Sequence, residues 1–169
     1  MKSTLERLPR KKLQHKNSEA IKLLRELALA DNRAKYPSLP DHARYIKPYK
    51  DSTANGLQRA IIDFLRFSGW QSERINCTGK MIDNTKVITD ILGDRRSIGS
   101  VKWLPTSGQK GTADISATIN GRSVKIEVKM KDKQSLDQKR YEEQVIRAGG
   151  LYWICRSFEE FLNRYNDLA

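Results

Sequence analysis

The chain has 169 residues, 38% of them apolar, and carries 32 Lys and Arg against 20 Asp and Glu, a net charge of +12. No run of apolar residues is long enough to span a bilayer, and the N-terminus lacks the apolar stretch of a secretory signal, so neither a membrane protein nor a secreted one is expected. An excess of cations this large favours a polyanionic partner, most often nucleic acid.

Most of the excess lies early. Residues 1–50 hold 13 Lys and Arg against 5 Asp and Glu and read as a basic N-terminal arm. Within it, Ile21, Leu23, Leu24, Leu27 and Leu29 predict one amphipathic helix over 18–30, with Ser18 as N-cap. Pro37, Pro40 and Pro48 then break regular structure and mark a linker or a wrapping arm. Such an arm either contacts DNA or embraces a second copy, or it is a solvated tail that packs on the body. His15 and His42 have no partner at ligand spacing.

From Asp51 the pattern changes. Leu57, Ile61, Phe64, Leu65 and Phe67 predict a helix ending before Gly69, with its aromatic stripe in the core. Trp70 to Asn76 alternates as a strand. Residues 77–112 read as a long basic loop, in which Val87–Leu92 forms a strand or a short helix and Trp103 lies in an extended patch. A loop of that kind is either a substrate-binding element or an insertion without contacts.

Asp114–Ile119 and Arg122–Lys129 predict two strands joined by Asn120-Gly121, the strongest short hairpin signal. Asp114 lies six residues before the turn and Glu127 six after it, so they face each other. Opposed side chains have Cβ atoms about 4.5–5.5 Å apart. Two carboxylates at that separation repel, and a divalent cation between them turns the repulsion into a binding site. Lys129, two residues beyond Glu127, shares its face. The bland alternative pairs Asp114 and Glu127 with Lys125, Lys129 or Arg147 on a solvated sheet face.

Ser135–Gln138 is a capping box that opens a helix, closed by Gly149-Gly150. Leu151–Cys155 is an apolar strand, parallel to the Glu127 strand if the crossover is right-handed. Ser157–Glu160 is a second capping box and opens a closing helix through Leu162. Cys77 and Cys155 fit neither a disulfide framework nor a zinc pattern, so reduced thiols in a cytoplasmic protein are expected.

Asp114…Glu127-Val128-Lys129 resembles the D…(D/E)xK signature of the PD-(D/E)XK nuclease superfamily. Its spacing and flanks are most similar to the virus-type replication-repair (VRR-NUC) nucleases. The matching flanks are Lys110-Gly111-Thr112-Ala113-Asp114-Ile115, then Gln134-Ser135-Leu136-Asp137-Gln138, then Ala148-Gly149-Gly150-Leu151-Tyr152. The resemblance covers residues 53–160. It implies a restriction-endonuclease-like α/β core over 51–169, a mixed β-sheet flanked by helices, preceded by the basic helical arm of 1–50.

The same resemblance implies a metal-dependent nuclease acting on branched, flap or junction DNA in replication, repair or recombination, in a phage or mobile-element setting. Asp114, Glu127 and the Val128 carbonyl would hold Mg²⁺ or Mn²⁺. Lys129 would orient or deprotonate the attacking water. Gln138 would hydrogen-bond Lys129 or the scissile phosphate, or else only cap its own helix; one rotamer is not expected to do both. Gln58, Lys110, Lys131 and Lys133 would contact nucleic acid, the two later lysines alternatively being a solvated strand end. Junction-resolving relatives often act as dimers, so a homodimer is an expectation too.

One position departs from the family. Its first helix carries T-E-x-x-(I/L)-Q, and Thr53-Ala54-Asn55-Gly56-Leu57-Gln58 stands in that frame with Ala54 in place of the acid. Asn55 could face the site, and Asp51 could substitute. A DNA-binding module that keeps the fold but has lost turnover is the alternative.

Overall fold

Asn120 and Gly121 both take positive φ, 48° and 74°. A type I′ turn requires that conformation, and it folds β6 (Ile115–Ile119) back on β7 (Arg122–Val128). The fold is that of a computed structural model, which describes residues 19–76, 79–105 and 108–168. Ile115 pairs with Ile126 and Ile119 with Arg122, so the register is the one the turn dictates, and Asp114 and Glu127 occupy its next rung.

The hairpin forms the middle of a mixed four-stranded sheet. β1 (Gln71–Arg74) joins β6 antiparallel, and β8 (Leu151–Cys155) joins β7 parallel, with Glu127 beside Ile154. Alternation along the strands separates two faces. Ile115, Ala117, Ile119, Val124, Ile126 and Val128 are all buried on one of them. Against that face pack α2 (Ala54–Phe67), α4 (Phe158–Leu168) and α1 (Glu19–Lys35), through Leu57, Ile61, Leu65, Phe158, Phe161, Ile21 and Leu24. Phe64 sits edge-on to Phe158, Phe161 and Tyr165, with centroids 5.8, 5.7 and 5.0 Å away. Helix α3 (Leu136–Arg147) crosses the opposite face, as a connection between parallel strands must. The chain is thus α/β, a mixed sheet flanked by helices. Among the described residues no helix is long and apolar enough to cross a membrane.

Of the readings of the basic segment, α1 fits the one that packs on the body: it buries Ala20, Ile21, Leu24 and Ala28 in the same core as α2 and α4. Tyr49 is buried as well, its hydroxyl donating to Asp63 at 3.0 Å and its ring lying 4.7 Å under Arg59. α1 and Tyr49 are therefore part of the body, and α1 runs past Ala30 to Lys35. Ser18 and His15 lie outside the described residues, as does Cys77.

Within the expected basic loop, residues 80–104 contain strands, in keeping with the extended reading of Val87 and Trp103 but paired into a hairpin that was not foreseen. β2 (Lys80–Asp83) pairs with β5 (Val101–Leu104), and β3 (Lys86–Thr89) with β4 (Arg95–Ile98). Both pairs keep one register, so 80–104 is a single two-stranded ribbon. Its tip is closed by the Asp90 carboxylate, which accepts from the Leu92 and Asp94 amides at 3.0 and 2.9 Å.

Candidate active site

Asp114 stands at the sheet end, immediately before β6. Its carbonyl accepts from the Ile75 amide at 2.8 Å, and its Oδ2 accepts from the Val128 amide at 2.9 Å. The carboxylate is thereby aimed across the hairpin toward Glu127. The resemblance implies that the Val128 carbonyl holds a cation; what the structure gives Val128 is this amide contact with Asp114.

Glu127 is 3% exposed, on the α3 face of the sheet. Its Oε1 receives the Lys129 ammonium at 3.1 Å and the Gln138 side-chain amide. Its Oε2 is buried and has no hydrogen-bond partner. Burial raises the Glu127 carboxyl above its ordinary range, and the Asp114 charge adds to the rise; Lys129 and Gln138 oppose it. A buried, half-satisfied carboxylate facing a second acid is costly, and costly groups concentrate where a protein binds or reacts.

Gln138 overturns the expectation that capping and a site role exclude each other. Its Oε1 accepts from the Ser135 amide at 2.9 Å, while the Ser135 hydroxyl accepts from the Gln138 amide at 3.2 Å. The amide's other end remains free to donate to Glu127. Its partner is Glu127 rather than Lys129.

The α3 N-terminus is pressed onto the chain just before Asp114. Gly111 has φ +80°, and a Cβ there would lie 2.4 Å from the Asp137 carbonyl. Gln109 also donates to Gln144 of α3 at 2.9 Å. The Lys110-Gly111-Thr112 flank thus holds α3, and with it Gln138, against the hairpin.

Lys129, paired with Glu127, also lines a pocket of about 300 Å³ with Lys133, Lys139 and Arg156, in which Asp132 is the one acid. Lys133 was expected here; Lys139 and Arg156 were not. Lys131 is exposed in the loop between β7 and α3, and Lys110 is exposed in the turn before Asp114. Tyr152, also unforeseen, is buried on the Glu127 side of β8, edge-on to Tyr141 at 6.2 Å. Burial first, then the Glu127 charge, pushes its hydroxyl upward.

Gln58 belongs to α2, in the layer on the other side of the sheet. It is 5% exposed, its Oε1 has no partner, and it lines a second pocket with Asn55, Arg59, Arg66 and Arg74. Asn55 accepts from Arg74 at 2.9 Å. Asp51, the possible substitute acid, accepts from the Phe158 amide at 3.2 Å, at the start of α4. Among the described residues no third Asp, Glu, His or Cys groups with Asp114 and Glu127. No protein-family model and no curated protein matches the chain.

Proposed function

We propose that this chain is a metal-dependent nuclease that hydrolyses phosphodiester bonds in DNA, directed by branched, flapped or junction structure. The observation that carries the reading is Glu127: buried, raised in pKa, facing Asp114, left with one oxygen unpartnered, and paired with Lys129, which lines a cationic pocket. A buried acceptor without a donor fits a cation. Hard carboxylate oxygens suit Mg²⁺ or Mn²⁺, so Asp114 and Glu127 would hold the ion. Such an ion supplies Lewis acidity toward a phosphoryl oxygen and lowers the pKa of water.

The rest falls to this chain's own groups. Lys133, Lys139 and Arg156 bind the backbone phosphates in the pocket by charge. The Lys129 ammonium, held on Glu127 at 3.1 Å, stands where it can orient water or stabilise charge developing on the phosphate. Gln138 fixes the Glu127 rotamer, and the Val128 amide fixes Asp114.

A second reading, a DNA-binding module without turnover, has its own support. Ala54 stands where the resembling family has an acid, Asp51 is engaged by α4, and among the described residues no third Asp, Glu, His or Cys joins the pair. One assay separates the two: cleavage of branched and flapped DNA with Mg²⁺ or Mn²⁺, by the parent chain, Glu127→Ala and Lys129→Ala. Cutting by the parent alone, with low-salt binding kept in both variants, supports the nuclease. Salt-sensitive binding without cutting by any of the three supports the module. Ala54→Glu then tests whether the helix position adds a ligand.

A further inference from the structure

The ribbon of residues 80–104 lacks what a ribbon needs. A two-stranded hairpin alone is marginal in water; it needs a third strand or a packed face. Among the described residues these strands pair only with each other, and none of their side chains joins the core cluster. Yet they are apolar: Met81 is 63% exposed, Val87 69%, Trp103 61%, and the tip residues Ile91 and Leu92 are 102% and 84% exposed.

The unbroken register sorts the ribbon into two faces. Lys80, Lys86, Arg96 and Lys102 fall on the even-numbered face, alternating with Ile82, Ile88, Ile98 and Leu104, so its apolar side chains are interrupted by cations. The odd-numbered face holds Met81, Val87, Val101 and Trp103, with a single acid, Asp83, toward the base and a single base, Arg95, toward the tip. That face is neutral, so charge does not recruit a polyanion to it. Together with the tip it exposes six large apolar side chains, Met81, Val87, Ile91, Leu92, Val101 and Trp103, and clustered exposure of this kind marks an interaction surface. Trp and Met in such a patch are the composition of interface cores.

We propose that the odd-numbered ribbon face is the surface by which two copies of this chain associate. The face is self-complementary. Stacked antiparallel about a two-fold axis near Thr85, midway between the Met81 and Thr89 rungs, Arg95 of each copy meets Trp103 of the other and lies one rung from its Asp83. Cation–π contact and ion pairing then act twice, as an isologous interface requires. The cationic even-numbered faces are left outward. This inference is independent of the proposed chemistry.

Sedimentation of the full chain without DNA tests it, together with Val87→Glu/Val101→Glu. Both sites are more than half exposed and lie outside the core, so the body should melt as in the parent. The parent should be a dimer. The double variant should raise the self-association Kd by roughly a hundredfold or more, because carboxylates buried without partners cost several kcal/mol. In a Cys77→Ser background, Thr85→Cys should oxidise to a disulfide-linked dimer, while Lys86→Cys on the other face should not. A monomeric parent at micromolar concentration, a dimer indifferent to the two glutamates, or equal cross-linking at both positions overturns the proposal. So does association that appears only when DNA is added.

Discussion

Gln138 donates its side-chain amide to Glu127 while its side-chain carbonyl closes the cap of its own helix. Helix start and candidate site are therefore one piece of structure, and substitution can part them. Ser135→Ala removes only the cap, at a cost of about 1 kcal/mol, and should leave cleavage largely intact. Gln138→Ala loses a similar amount and also frees the Glu127 rotamer, so cleavage should fall far more. Denaturant melts and cleavage rates on the two variants check this; equal activity in both would make Gln138 a cap and nothing else.

Glu127 predicts a pH dependence with a definite sign. Its folded pKa lies above the unfolded value, so folding favours the protonated acid. Ionised Glu127 thus subtracts stability as pH rises from the ordinary carboxylate range through the folded pKa. Glu127→Gln removes that dependence. Without divalent cations its melting temperature, relative to the parent, should climb from acid to neutral pH. Adding Mn²⁺ should stabilise the parent by about 2.7 kcal/mol at a hundredfold excess over Kd, less as acid protonates Glu127, and not at all in the variant. Chelation should reverse the gain. A Mn²⁺ response surviving in Glu127→Gln would place the cation elsewhere.

The cationic pocket predicts how binding responds to salt. Each of Lys133, Lys139 and Arg156 that meets a phosphate releases about one counterion. Replacing any one by Ala should weaken DNA binding without regard to base sequence and reduce the log–log salt slope by about 1. Lys110→Ala and Lys131→Ala, outside that pocket, provide the comparison. Fluorescence titrations across a salt series measure all five. Unchanged slopes for the pocket variants would remove it from the binding surface.

How much of this was legible in the sequence follows from how local each signal is. The Asn120-Gly121 turn fixes register through two backbone conformations, so the facing of Asp114 and Glu127 could be read directly. The capping box at Ser135 is equally local. The ribbon was not legible because strands exposed on both faces show no burial alternation, and their Gly and Ser residues look like loop. Whether α1 packs on the body or meets a partner stayed open for another reason: an amphipathic face carrying Ile21 and Leu24 suits either, and only the tertiary packing decides. Lys139 and Arg156 meet only because α3 and the end of β8 converge, which no spacing reveals. Gln138 was misjudged because an amide has two ends, and the cap uses just one.

Gly111 gives the sharpest structural prediction. Its φ of +80° disfavours any side chain, and a Cβ would stand 2.4 Å from the Asp137 carbonyl and 2.7 Å from the Gln138 amide. Backbone on both sides leaves no flexible group to yield, so Gly111→Ala must push the α3 N-terminus away from the chain leading into Asp114. The strain from φ alone should exceed about 1 kcal/mol, and the clash adds to it. The displaced helix takes Gln138 off Glu127, so cleavage and Mn²⁺ stabilisation should fall together. Gly121→Ala, whose φ is +74° but whose Cβ would meet nothing within 4 Å, controls for backbone strain alone: it should cost stability and keep Mn²⁺ stabilisation. If the two variants lose Mn²⁺ stabilisation equally, contact between Gly111 and α3 is not what positions the site.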